Sequence, residues 1–124
     1  MCADSAITRV GHMDLSSEDA KLVTLARATR ARIQAAEGAA VRDSDGRTYA
    51  AATVDLPSLQ LSALQVCVAM AVASGSRGLA AAVVLGEGGE LATADRAAVT
   101  DFAGGGVVVH LGDGRGAIAE TVTV

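Results

Sequence analysis

Few side chains in this sequence are of a type and spacing that could do chemistry. His110 is a lone histidine at the end of the run "VVVHL", and no nucleophile or carboxylate pattern accompanies it as a hydrolytic triad would require. Cys2, His12 and Asp14 could contact an adventitious metal, but they do not define a site. Cys67 lies within an apolar segment, so the two cysteines do not predict a disulfide framework. No catalytic centre follows from these residues alone.

Three short acidic or glycine-rich stretches match ligand-binding loops only in part. "DSDG" at Asp43–Gly46 lacks the downstream acidic ligands of a calcium loop. "GEGGE" at Gly86–Glu90 and "GDGRG" at Gly112–Gly116 lack the Lys-Ser or Lys-Thr of a phosphate-binding loop, and their carboxylates would repel phosphate. The sequence therefore predicts turns and connections at all three places.

The first half of the chain predicts a helix, a hairpin and a second helix. "SSED" at Ser16–Asp19 fits a capping box that opens a helix running to about Ala35. Two strand-like runs flank the turn at Asp43–Gly46. The uncharged segment Ser58–Ser74 is apolar on all sides, which predicts a central helix covered by both a sheet and a neighbour, with Gly75 ending it.

The second half predicts three strands and a short helix. "LAAAVVLGE", from Leu79, is a near-continuous apolar run that indicates a strand buried on both faces. A short helix over about Thr93–Phe102 follows, then a strand at Val107–Leu111 and a final alternating strand from Ala117. The predicted order is α-β-β-α-β-α-β-β, an α/β sheet with helices against it.

Composition predicts one domain and a tendency to associate. A chain of 124 residues is long enough for one core, here residues 16–124 after a flexible leader at 1–15. The sequence is 51% hydrophobic but only 2% aromatic, so Ala and Val must fill the core. Apolar area left over would be covered most easily by another copy of the chain, which predicts a homo-oligomer.

Charge and patterning exclude several classes of partner. The net charge of −4 and the lack of any basic run argue against nucleic-acid binding. Leu56–Ser76 has the length of a membrane span, but polar residues interrupt its first half, so a buried helix is favoured over membrane insertion. The polar N-terminal sequence shows no apolar signal segment, and we expect a cytoplasmic protein.

Three stretches together resemble the small homotetrameric cytidine deaminases over about residues 18–124. "GAAVRDSDGRTYAAATV" is similar to the family's first hairpin, "AMAVASG" to the end of its catalytic helix, and "GGGVVVHLGDGRG" to its fourth strand and following turn. The resemblance implies a three-layer α/β/α cytidine deaminase-like fold with a mixed five-stranded sheet and about three helices. It also implies a homo-oligomer, a dimer or a tetramer.

The resemblance further implies that the family's zinc site is lost. In the family, a Cys or His at the start of the second helix and two Cys of a Pro-Cys-x-x-Cys motif hold zinc, and a Glu two residues after the first ligand moves protons. The alignment places Ser62 at the first ligand, Leu64 at the Glu, and Ala92 and Asp95 at the two Cys, with Leu91 at the Pro. We therefore expect no metal, no cofactor and no catalytic residue.

The family's nucleoside-binding residues are also mostly absent. Its Asn-x-Glu motif, which holds the ribose hydroxyls, aligns with Thr53 and Asp55. Asp55 could accept a hydrogen bond from a hydroxyl, or it could begin the loop before Pro57 or cap the next helix. Tyr49 and Phe102 do not align with the family's base-stacking aromatic residues.

These features predict a non-catalytic cytidine deaminase-like protein that acts as a binding or assembly module. We expect it to associate with itself, and a further protein partner is compatible with that role. The alternative is zinc-dependent or altered nucleoside (cytidine) deaminase activity. If the frame is intact, Ser62, Ala92 and Asp95 should converge at the N-terminal ends of two neighbouring helices, with Leu64 over the same hollow.

Overall fold

The structure, a computed structural model, describes residues 15–124. The predicted leader at 1–15 lies outside the described residues except for Leu15, and so do Cys2, His12 and Asp14.

Three helices and seven strands make up the described chain. They are α1 (Ser17–Ile33), β1 (Glu37–Asp43), β2 (Thr48–Ala52), β3 (Val54–Leu56), β4 (Leu59–Leu61), α2 (Ala63–Ala73), β5 (Leu79–Gly86), α3 (Thr93–Ala103), β6 (Val108–Gly112) and β7 (Ile118–Thr123).

Five strands form one mixed sheet in the order β2-β1-β5-β6-β7. Only β5 and β6 run parallel, and all other neighbouring strands are antiparallel. The connection between the parallel pair is α3, as a crossover between parallel strands requires. Helix α1 covers one face of the sheet, and α2 and α3 cover the other. The predicted α/β/α architecture with a mixed five-stranded sheet is therefore confirmed.

Helix α1 packs very close to the sheet because small residues face each other across the layer. Its buried residues Leu22, Val23 and Ala26 contact alanines and valines of β1 and β5. A Cβ atom at Gly38 of β1 would overlap the backbone carbonyl of Ala26, so only glycine fits this position. Ala- and Val-rich strands thus set a short interlayer distance, as the composition predicted.

A polar network ties the first turn of α1 to the sheet. Asp19 accepts hydrogen bonds from Arg42 at 2.8 Å and from His110 Nε2 at 2.7 Å, and the second ring nitrogen of His110 lies 2.8 Å from Thr121 Oγ1. Burial alone would raise the pKa of Asp19, but the bonds from His110 and Arg42 outweigh it and lower the pKa. His110 is 5% exposed and has a structural role, as predicted for a lone histidine.

The prediction that the second helix begins at Ser58 is wrong, because Leu59–Leu61 form a strand. β3 and β4 pair antiparallel across Pro57 and Ser58, and the helix starts only at Ala63. The reason is local, because Ser62 and Gln65 form a complete capping box that fixes the first turn of α2. The hairpin adds two short strands that the predicted element order lacked.

The acidic turns are structural. In the β1–β2 turn, Asp43 Oδ1 accepts from the backbone N–H groups of Asp45 and Arg47, each at 2.9 Å. Asp113 Oδ1 does the same in the β6–β7 turn for Arg115 at 2.9 Å and Ala117 at 3.1 Å. The predicted turns at these two stretches are confirmed, and their carboxylates are occupied by backbone donors.

Within residues 15–124, no helix combines the length and the apolar character that crossing a membrane would need. The apolar segment around α2 is a core helix of 11 residues.

Candidate functional site

The candidate site lies where the N-terminal ends of α2 and α3 meet. Ser62 is the N-cap of α2: its hydroxyl accepts from the backbone N–H of Gln65 at 3.0 Å, and the Gln65 amide oxygen accepts from the Ser62 N–H at 2.9 Å. Ala92 is the N-cap of α3 and provides no side-chain cap. Helix N-termini carry unsatisfied N–H groups and a partial positive charge, so this region favours anionic groups.

A short hydrogen bond joins the two helix ends. The Ser62 hydroxyl donates to Asp95 Oδ1 at 2.6 Å, although the two residues belong to different helices. Asp95 lies in the first turn of α3 and is only 3% exposed. The structure thus brings Ser62 and Asp95 into direct contact, as the alignment predicted, with the exposed Ala92 at the start of the same helix as Asp95.

Glu37, at the start of β1, adds a second carboxyl group to this site. Burial and then the negative charge of Asp95 raise the pKa of Glu37, and the backbone N–H of Ala63 at the start of α2 offsets part of that effect. Among residues 15–124, neither Glu37 nor Asp95 forms an ion pair with a Lys, Arg or His side chain. The site therefore holds two neighbouring carboxyl groups, balanced by helix N-termini rather than by a basic residue.

Leu64 does not lie over a hollow shared with these residues. Its side chain is 0% exposed and belongs to the apolar core between α2, α3 and the sheet. Leu64, the second residue of α2, packs in the core between the helix and the sheet and carries no polar group. The position that the family gives to the proton-carrying Glu is an ordinary core position in this chain.

Thr53 and Asp55, the candidates for ribose contact, have different surroundings. The Thr53 hydroxyl accepts from the Glu37 N–H at 2.9 Å and lies 3.3 Å from the Glu37 carbonyl, so both of its roles are filled by the start of β1. Asp55 is exposed in β3 and, among residues 15–124, accepts a side-chain hydrogen bond only from Gln60, at 3.4 Å. The alternative in which Asp55 caps a helix is wrong, because Ser62 caps α2.

The side chains at the three ligand positions do not fit zinc. Structural and catalytic zinc sites use at least three thiolate, imidazole or carboxylate ligands, whereas this chain offers a hydroxyl, a methyl group and one carboxylate. Throughout the described part of the chain, no group of three or more His, Cys, Asp or Glu residues could hold a metal ion. The donor set therefore departs from what a zinc site requires.

Cys67 offers no substitute ligand or nucleophile. Its thiol is 0% exposed in the core and lies 3.7 Å from the Tyr49 carbonyl oxygen. Burial raises the pKa of Cys67 to about 12, so the thiolate that binds metal or attacks a substrate is absent near neutral pH.

Comparison with known proteins agrees with the fold described above. A family model described as cytidine deaminase-like matches residues 15–116, and the chain belongs to that family. The fold is similar to the cytidine deaminase of Burkholderia pseudomallei, with 25% sequence identity, a TM-score of 0.72, and coverage of 87% of this chain and 93% of that one. It is also similar to the cytidine deaminase of Mycobacterium leprae, with 21% identity, a TM-score of 0.65, and coverage of 86% and 94%. No curated protein matches the chain.

Sequence reasoning missed Glu37 as a member of the site. Its contacts with Ala63 and Asp95 join residues far apart in the chain, and "AEGAA" carries no motif that marks the carboxyl group as a site residue. The only sequence signal for Glu37 was its position directly before the first predicted strand, which places it at the end of the sheet near the start of the second helix.

Proposed function

We propose that this member of the cytidine deaminase-like family does not catalyse hydrolytic deamination and serves as a binding or assembly module. The single observation that carries the proposal is the 2.6 Å hydrogen bond between Ser62 and the buried Asp95. It fills the space between the two helix ends with an interaction internal to the protein. The neutral Ser62 hydroxyl and the Asp95 carboxylate thus join the N-terminal ends of α2 and α3.

The chemistry of deamination explains why this matters. Attack on the pyrimidine ring needs hydroxide near neutral pH, which the family obtains from a metal-bound water, and a carboxylate that carries the proton to the leaving ammonia. Ser62, Ala92 and Asp95 cannot supply the metal site. Leu64 cannot carry a proton, and its burial leaves no path for one at that position.

The test combines metal content with activity. We expect the purified protein to contain no stoichiometric zinc by elemental analysis and to convert neither cytidine nor deoxycytidine when ammonia release is followed. The proposal fails if one zinc per chain is found, or if turnover is lost on chelation and restored by zinc.

One observation favours the alternative of altered nucleoside deaminase activity. Burial and the negative charge of Asp95 raise the pKa of Glu37, and a carboxyl group with a raised pKa can act as a general acid. If ammonia release from cytidine is detected without zinc, both Glu37→Gln and Asp95→Asn should abolish it. An activity that survives both substitutions would come from a contaminant or from another part of the chain.

The assembly part of the proposal rests on the exposed side of α2. This helix contains no charged residue, and Ala69, Val72 and Ala73 are exposed on it, Val72 to 51%. Leu56 and Leu59 of the β3–β4 hairpin are also exposed, to 55% and 48%. A second copy of the chain is the occupant that this uncharged, small-residue surface fits, since like surfaces can pair around a two-fold axis without opposing charges.

Other partners and the location of the protein stay predictions. We expect neither nucleic acid nor a membrane among the partners. The net charge of −4 argues against binding to nucleic acid. A further protein partner would be found by affinity capture from the native cell. The cytoplasmic location is best checked by fractionating that cell.

A further inference from the structure

A cavity separate from the candidate site lies between α3 and the β6–β7 pair. It has a volume of about 260 Å³ and is lined by Glu90, Leu91, Arg96, Leu111, Glu120 and Val122. None of these residues belongs to the Ser62–Asp95 contact. The volume is below the roughly 300–1,000 Å³ of pockets for drug-sized ligands, so the cavity has room only for a smaller molecule.

The floor of the cavity is aliphatic. Leu111 is 4% exposed, and it lies directly opposite Glu120 in the β6–β7 register. Val122 and Leu91 are partly buried and pack against the core that α2 and α3 cover. The floor can therefore accept a branched aliphatic group, but no aromatic residue lines the cavity on which a base could stack.

The rim of the cavity carries charges of both signs. Arg96 supplies a guanidinium, Glu90 and Glu120 supply two carboxylates, and all three side chains are at least partly exposed. Within residues 15–124, these three side chains form no ion pair with one another or with any other residue. A guanidinium and two carboxylates that share one hollow without pairing can bind a ligand that carries both charges.

We propose that this cavity binds a small aliphatic zwitterion, an α-amino acid with a branched side chain. The ligand's carboxylate would pair with the Arg96 guanidinium, which matches a carboxylate in a bidentate manner. Its ammonium group would lie between Glu90 and Glu120, and its side chain would cover Leu111 and Val122. Leu91 and Arg96 flank Ala92 and Asp95 in the sequence, but the Ser62–Asp95 hydrogen bond uses no side chain of the cavity, so the proposal does not require that the chain deaminates nucleosides.

The ligand's two charges and its side chain can be tested separately with matched compounds. Titration calorimetry and saturation-transfer NMR on the full chain would use free L-leucine, 4-methylpentanoate (without the ammonium group), isopentylamine (without the carboxylate) and glycine (without the side chain). We expect saturable binding of leucine at about millimolar dissociation constant, as suits a ligand of so few atoms. Each of the three analogues should bind at least about tenfold more weakly.

Variants of the rim give the decisive comparison. Arg96→Gln should weaken leucine binding at least about tenfold and leave the weak binding of isopentylamine unchanged, whereas Glu120→Gln should weaken both. Arg77→Gln is the matched control, because Arg77 is exposed and precedes β5, while the cavity lies beyond the other end of that strand. The proposal is overturned if leucine shows no saturable binding at tens of millimolar, or if Arg96→Gln binds leucine as the unaltered chain does.

Discussion

The hydroxyl of Ser62 and the carboxylate of Asp95 are joined by a 2.6 Å hydrogen bond that connects the first turns of two helices. In the cytidine deaminase family, the resemblance places metal ligands at these same two positions. A direct bond between the side chains would thus hold the helix ends together where the family uses an ion. The contact between these two side chains is internal to the protein and links the start of α2 to the first turn of α3.

Removing the Ser62 hydroxyl should therefore lower stability more than removal of an exposed serine. Ser62→Ala loses both the cap of α2 and the bond to Asp95, and we expect the free energy of unfolding to fall by about 1–3 kcal/mol. Urea unfolding followed by circular dichroism measures the change. Ser58→Ala, at an exposed position of the β3–β4 turn, is the control and should change it by less than about 0.5 kcal/mol.

A double-mutant cycle isolates the bond between the two helices from the cap. Ser62→Ala and Asp95→Ala should show a coupling free energy of about 0.5–3 kcal/mol. Additive effects of the two changes would mean that the contact contributes nothing to stability.

Much of the frame could be predicted because its signals are local. The Ser16 cap, the turn at Asp43–Gly46 and the apolar run from Leu79 each depend on residues close together in the sequence, and all three are present in the structure. The β3–β4 hairpin was missed because "LQL" is short and directly precedes an apolar helix, so its alternation merged with the helical pattern. The Ser62–Gln65 capping box determines that the helix begins at Ala63. The uncharged composition of the whole segment did not indicate this starting point.

The site was predictable only as far as a linear alignment reaches. Ser62 and Asp95 were placed by their order relative to helix ends, and the contact between them follows from the frame. Glu37 could not be found in that way, because its role depends on burial and on the charge of Asp95 across the sheet edge. The core position of Leu64 likewise depends on which side of the helix faces the sheet.

Glu37 should make the stability of the fold depend on pH in a specific direction. Its pKa in the folded chain is raised above 4.5, mainly by burial and then by Asp95. A carboxyl group with a raised folded-state pKa contributes stability below its unfolded pKa, and this contribution is lost as pH rises through the folded pKa. The Glu37 contribution should therefore be present below pH 4.5 and be lost as the pH rises above that value.

Glu37→Gln tests this pH dependence by removing the titrating group. Near pH 7 we expect the variant to be more stable than the unaltered chain by less than about 1 kcal/mol, because Glu37 is partly exposed and its charge is screened. The difference should shrink as the pH falls and Glu37 takes up a proton. Thermal unfolding of both proteins across pH 4.5–8 measures it, and a constant difference over that range would contradict the assignment. Asp19 and Asp43, whose pKa values are lowered, affect both proteins equally and only at more acidic pH.

The exposed side of α2 should control self-association if a second copy covers it. Val72→Arg or Ala69→Arg places a charge on this surface, and either change should shift the protein toward the monomer in light scattering at tens of micromolar. Ala69 is exposed in the single chain, so the added charge acts on a contact between copies rather than on the core.

Ala97→Arg is the matched control for that experiment, since Ala97 is an exposed helical alanine on α3. It should leave the molecular mass unchanged. A monomer before any substitution, or an oligomer unaffected by both α2 variants, would remove α2 as the assembly surface.

Restoring three thiolates should restore a metal site, because the geometry of the two helix ends is favourable. The variant Ser62→Cys, Ala92→Cys, Asp95→Cys places sulfurs at helix N-termini, whose partial positive charge favours thiolates. Cys at position 95 is one atom shorter than Asp, which opens the 2.6 Å gap toward the roughly 3.8 Å between two sulfurs bonded to one zinc at about 2.3 Å. Ala92 has an extended backbone and no cap bond to give up.

We expect this triple variant to bind one zinc per chain, and cobalt in its place should give the visible absorption of a tetrahedral thiolate site. The control is Ser62→Cys with Asp95→Cys and Ala92 retained, which has two sulfurs and should bind zinc at least about tenfold more weakly. Equal zinc binding by the two variants would show that position 92 does not face the ion, and would withdraw the alignment for α3.

Adding Leu64→Glu should not produce a deaminase, because the new carboxylate would enter a core position that is 0% exposed. That burial should cost several kcal/mol of stability, and a quadruple variant as stable as the triple one would show that Leu64 can turn toward the metal after all.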